Sequence, residues 1–109
     1  MLIKTLINIS YSCIKHEHLQ DADDFLKEVE SLIATQRIEN CVIEKFALKF
    51  MKGFYNLING NINEGKKLMK KAIGNFKATE DQEIVERYKT YYKEAFLQSK
   101  KKFAANDVK

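Results

Sequence analysis

Residues 46–76 read FALKFMKGFYNLINGNINEGKKLMKKAIGNF, and this stretch decides the fold. Phe46, Phe50, Phe54 and Leu57 recur at spacings of four, four and three, which sets them on one face of a helix. Asn59-Gly60 then ends the pattern in the manner of a left-handed cap. Beyond it Leu68, Met69, Ala72, Ile73 and Phe76 resume the helical period, with Asn63 placed as the N-cap. No run alternates with a period of two for long enough to form a strand. The stretch therefore predicts a helical hairpin over 39–77.

Moving outward, the hairpin is found twice. A shift of 43 residues superimposes Ile3 on Phe46, Ile7 on Phe50, Ser10 on Gly53, Tyr11 on Phe54 and Ile14 on Leu57. The same shift continues through the turn, placing Ala22 on Gly65, Phe25 on Leu68, Leu26 on Met69 and Val29 on Ala72. Small residues fall on small ones where two helices must approach closely. A third copy begins at a shift of 38, where Ile84, Tyr88, Tyr92 and Ala95 stand for Phe46, Phe50, Phe54 and Leu57. Repetition at this period signals a solenoid. The expected fold is all-α, a fragment of stacked antiparallel helical hairpins in a single domain over 1–109. Its parts are a hairpin over 1–35, a hairpin over 39–77 and a terminal helix over 80–103.

Local signals set the expected helix ends. Asp21 is placed to cap the second helix, and Thr79 with Gln82 forms a capping box for the fifth. Lys100–Lys102 suit that helix's negative end. The third helix is apolar around roughly 220° of its circumference, so it is expected at the centre of the stack as the most buried element. Met1-Leu2-Ile3 enters apolar periodicity with no cap before it, so the array is expected to have been longer on that side. Apolar surface on the first and fifth helices is expected to hold a homodimer.

Composition excludes several function classes. The 109 residues hold no proline and only four glycines, so helices joined by short turns are favoured. Leu6–Ile14 is too short and too polar for a signal peptide or membrane span, and the expected location is cytoplasmic. Cys13 and Cys41 lack CxxC spacing and read as reduced, half-buried thiols. His16-Glu17-His18 makes a poor metal site, because residues two apart on a helix point apart. No nucleophile–base pair or glycine-rich phosphate loop exists, so the chain reads as a non-enzyme without cofactor or metal. The net charge of +4 is uneven: residues 1–40 hold 4 basic and 7 acidic side chains, and residues 41–109 hold 15 and 8. Lys66, Lys67, Lys70 and Lys71 read as a solvated face rather than a phosphate site. Tyr88, Tyr91 and Tyr92 read as core or dimer contacts rather than a base-stacking platform.

The spacing Gly53, Gly60, Ile62, Gly65, Ala72 is similar to a tetratricopeptide-type repeat. The phrase from Phe46 to Phe76, followed by a long helix with Tyr88, Tyr91 and Tyr92, resembles the C-terminal region of Rgg/GadR/MutR-type transcriptional regulators, best over residues 38–98. These regulators belong to low-GC Gram-positive bacteria. The resemblance implies helical repeats that dimerise and, in several members, bind a short signalling peptide on a concave face. It also implies that DNA is contacted through a helix-turn-helix domain that is absent from this chain. A ligand-independent helical-repeat adaptor for protein–protein interaction is the alternative.

The candidate peptide site is the polar stripe of the third helix, formed by Lys45, Lys49, Lys52, Asn56 and Asn59 at spacings of four, three, four and three. Asparagine both donates to and accepts from a peptide backbone, and lysine meets a carboxylate. The repeat itself does not demand polarity there, since the first helix places Leu2, Leu6 and Cys13 at equivalent positions.

Overall fold

The computed structural model describes residues 2–36 and 42–107, which form five helices and no strand. They are α1 (Leu2–Lys15), α2 (Leu19–Gln36), α3 (Val42–Ile58), α4 (Ile62–Lys77) and α5 (Gln82–Asp107). The fold is all-α, with α1–α2 and α3–α4 as hairpins and α5 laid against the second. α3 touches each of the other four helices. Ala47, Leu48, Phe50, Met51, Phe54, Leu57 and Ile58 of α3 are all buried, so the greasiest helix is the centre of the molecule.

The second hairpin closes where side chains vanish. A Cβ on Gly65 would lie 2.6 Å from the Leu57 nitrogen and 2.7 Å from the Gly53 carbonyl oxygen. One on Gly53 would lie 2.6 Å from Met69 Cγ. The backbones of α3 and α4 are therefore in direct contact. In the first hairpin the equivalent positions are Ser10 and Ala22, both fully buried. The Ser10 hydroxyl donates to the Leu6 carbonyl at 2.8 Å, which satisfies it within its own helix.

Both hairpins turn in the same way. The Gly60 N–H donates to the Leu57 carbonyl and the Asn61 N–H to the Asn56 carbonyl, with Gly60 at φ 103°. The Glu17 N–H and the His18 N–H make the corresponding bonds to Ile14 and Cys13, with Glu17 at φ 59°. This paired closure needs one residue in the left-handed region, usually glycine. Glu17 lies 43 residues before Gly60, so the repeat preserves the turn even where glycine is missing.

The helix starts differ from the expected caps. α2 begins at Leu19, leaving Asp21 inside the first turn, and the Ala22 N–H donates to the His18 carbonyl. α4 begins at Ile62 rather than after Asn63; Asn61 is its N-cap and makes no side-chain cap bond. The Thr79–Gln82 capping box does not form. Glu80, at φ 62°, still belongs to the turn that closes α4, and the Thr79 hydroxyl donates to the Phe76 carbonyl at 2.6 Å. Asp81 caps α5 instead, its carboxylate accepting from the Ile84 N–H at 3.2 Å. Residues 39–41 and Cys41, included in the expected second hairpin, lie outside the described residues.

The far half of α5 closes the ends of two earlier helices. Gln98 Nε2 donates to the carbonyls of Ile14 and Lys15, the last residues of α1, at 3.2 Å each. Lys102 Nζ donates to the Ile58 carbonyl at the end of α3, at 2.7 Å, and pairs with Glu17 at 3.0 Å. Helix C-termini leave carbonyls without partners; these two side chains meet those of Lys15 and Ile58, and Gln98 adds a second donor to the Ile14 carbonyl already bonded by the Glu17 N–H. Lys102 thus serves α3 rather than the end of its own helix.

Candidate functional site

The polar stripe of α3 opens into the gap between α2 and α4. Lys45 and Asn59 are exposed; Lys49, Lys52 and Asn56 are half-buried. Lys49 Nζ donates to Asn75 Oδ1 of α4 at 2.9 Å. Lys52 pairs with Glu30 of α2. Asn56 Nδ2 donates back to the Lys52 carbonyl at 2.8 Å, and its Oδ1 accepts from Asn61 Nδ2 at 3.2 Å. The stripe is one continuous line, and its central members bridge to both neighbouring helices.

Around Lys52 and Asn56 lies a cleft of about 290 Å³. Leu26 of α2, Tyr55 of α3 and Leu68 of α4 give it an apolar floor. Asp23, Lys27 and Glu30 of α2 form the opposing charged rim. Asp23 and Lys27 are paired at 2.9 Å, and that hydrogen bond raises the Lys27 pKa. Lys45, Lys49 and Asn59 do not line the cleft itself. The α2 wall was missed in the sequence. Its only signal was Asp23, Lys27 and Glu30 at spacings of four and three, which any solvated helix also shows.

The other side of α3 is closed by aromatic rings. Tyr11 of α1 meets Tyr91 of α5 at 4.6 Å between centroids and Phe54 at 5.6 Å. Tyr88 stacks on Phe76 at 4.3 Å and meets Phe50 edge-on at 5.0 Å. Tyr88 and Tyr91 therefore are core contacts, linking α5 to α1, α3 and α4. Burial, then the neighbouring Tyr91, push the Tyr88 pKa up to about 12, with Arg87 opposing and Glu44 assisting. Tyr11 moves the same way, through burial and then the charge of Glu94. An unfolded tyrosine titrates near about 10. Between those values the unfolded chain releases a proton that the folded chain retains. The stabilisation is complete below about pH 10 and declines toward pH 12, by about 1.4 kcal/mol per pH unit for one such group. Urea midpoints measured across that range should fall, and less steeply in Tyr88→Phe.

Cys13 is half-buried against the core, and burial pushes its thiol pKa up, away from the nucleophilic thiolate. Among the described residues no three His, Cys, Asp or Glu side chains gather as a metal site. No helix among them is long and apolar enough to cross a membrane.

The chain matches the family described as HTH-type transcriptional regulator Rgg, C-terminal domain, over residues 1–90. It belongs to that family. The Rgg C-terminal domain is part of a transcriptional regulator, a class that acts with DNA and is typically non-enzymatic. The matched span covers α1 to α4 and the first turns of α5, so both hairpins and the cleft lie within it. No curated protein and no solved structure matches the chain.

Proposed function

We propose that this Rgg C-terminal domain is the sensory and dimerisation module of its regulator and binds a short signalling peptide in the α2–α4 groove. The carrying observation is the cleft beside Lys52 and Asn56, whose apolar floor takes a side chain while the stripe meets the peptide backbone and its carboxylates. Lys45 and Lys49 extend the basic edge toward one end of α3, and Asn59 extends the polar edge toward the other. The domain works in the cytoplasm, without cofactor or catalytic chemistry, and reaches DNA through a helix-turn-helix domain outside this chain. Its dimer contact uses the exposed apolar residues Leu2 and Ile9 of α1 and Leu97 of α5.

The test is the double substitution Lys49→Ala with Asn56→Ala. Binding of a cognate peptide should be abolished, while loss of the Lys49–Asn75 and Asn56–Asn61 bonds costs only about 1–3 kcal/mol of stability. Sedimentation of the same protein should still give a dimer. One observation favours a second reading, the ligand-independent adaptor: Lys49, Lys52 and Asn56 already have partners within the fold. Unchanged peptide binding in the double variant removes the stripe from the site. Absence of binding to any cognate peptide, with the dimer intact, favours the adaptor.

A further inference from the structure

We propose a second binding site, independent of the first: the groove between α4 and α5 binds a nucleotide, with its phosphates on lysines and its base against aromatic rings. The groove is about 270 Å³ and is lined by Lys66 and Lys70 of α4 and by Tyr92, Lys93 and Phe96 of α5. That volume is just below the range of about 300–1,000 Å³ usual for small-ligand sites, so the groove holds part of a nucleotide and leaves the rest open to solvent.

The lining of this groove holds no carboxylate, whereas the α2–α4 cleft is rimmed by Asp23 and Glu30. Lys27, Lys52, Lys89 and Lys102 each pair with a carboxylate; among the described residues Lys66, Lys70, Lys93 and Lys100 do not. The Lys66 and Lys100 ammoniums instead rest over the Phe96 ring, at 4.5 and 4.9 Å from its centroid. Two cations sharing one ring repel each other, and a bound anion relieves that repulsion. Drawn to an anion, they also uncover the ring. Lysine meets phosphate as a point charge, and several ammoniums can gather on one phosphate chain.

Tyr92 supplies the independent observation. The repeat sets it in the place of Phe54, in the core, yet it is Tyr91 that joins the ring cluster with Tyr11, Phe50 and Tyr88. Tyr92, half-buried like Tyr91 and packed in part against the core, lines the groove on the α4 side beside Phe96. Aromatic faces take any base by stacking, so cations and rings in one groove fit a phosphorylated base rather than phosphate alone. The same chemistry is offered by a free nucleotide and by a single strand of nucleic acid.

The test is titration of the intact chain with ATP, inorganic tripolyphosphate, a labelled oligothymidylate and polyglutamate. ATP or the oligonucleotide should bind, with tripolyphosphate about tenfold weaker or worse for want of a base. Tighter binding of the strand assigns the source to nucleic acid; tighter ATP assigns it to a free nucleotide. Lys66→Gln with Lys70→Gln, and separately Lys93→Gln with Lys100→Gln, should weaken binding about tenfold and flatten its salt dependence. Tyr92→Ala should weaken it by a similar factor. Lys49→Ala with Asn56→Ala should leave it unchanged, which separates this site from the α2–α4 groove. The proposal is overturned by no nucleotide binding, by tripolyphosphate or polyglutamate binding as tightly as ATP, or by binding that neither lysine pair affects.

Discussion

Phe50→Ala is expected to destabilise the domain by about 3–5 kcal/mol, the cost of an aromatic deleted from a fully packed site. Phe50 is 0% exposed and lies on the helix that every other helix touches. Its ring meets Tyr88 at 5.0 Å and Tyr91 at 6.5 Å, so truncation removes the contact by which α5 is seated on α3. Small domains are stable by only about 5–15 kcal/mol in total, so this one change removes a large share. Urea unfolding followed by circular dichroism measures it. A loss under about 1 kcal/mol would mean that the α3 core had collapsed around the gap or was never packed against α5.

Gly65→Ala should cost about 3 kcal/mol, at the upper end of overpacking penalties, although alanine is the better helix former. The added methyl would meet Leu57 N, Gly53 O and Leu57 Cα, all within 2.8 Å. These are backbone atoms, which no rotamer change can move aside. The helices must separate, and Met69, Ala72 and Phe76 lose their fit against α3. Gly74→Ala is the control on the same helix. Nothing lies within 4 Å of a Cβ there, so the change should stabilise by about 0.4–1 kcal/mol. Opposite signs for the two substitutions, read as shifts in urea midpoint, isolate close approach from helix propensity. Equal signs would rule out backbone contact between α3 and α4.

What was legible in the sequence follows from how far each interaction reaches. Face and spacing are local, so the hairpins, the central position of α3 and the pairing of Gly53 with Gly65 were read from periodicity and the 43-residue repeat. The left-handed turn at Gly60 was legible for the same reason; its twin at Glu17 was hidden because glutamate is a poor sign of that backbone. Caps were misplaced by two or three residues, because a side-chain cap is a weak guide to the boundary: Asp81 makes such a bond, but Asn61 starts α4 without one. The stripe was legible as a line on α3. Its environment was not, because Glu30 and Asn75 arrive from helices 22 and 26 residues away. The register of α5 was the other loss: the third copy is imperfect, and that Tyr91 rather than Tyr92 joins the ring cluster depends on how the longer helix lies across α1 and α3.

The bonds from Gln98 and Lys102 bear on the order in which the chain assembles. They span 84 and 44 residues, the first among the longest separations in the molecule, whereas each hairpin closes over a short turn. Loop-closure entropy makes such distant pairings the late ones. During synthesis the two hairpins emerge and can form while the carbonyls of Lys15 and Ile58 still face water. Only when the last turns of α5 leave the ribosome are those helix ends sealed.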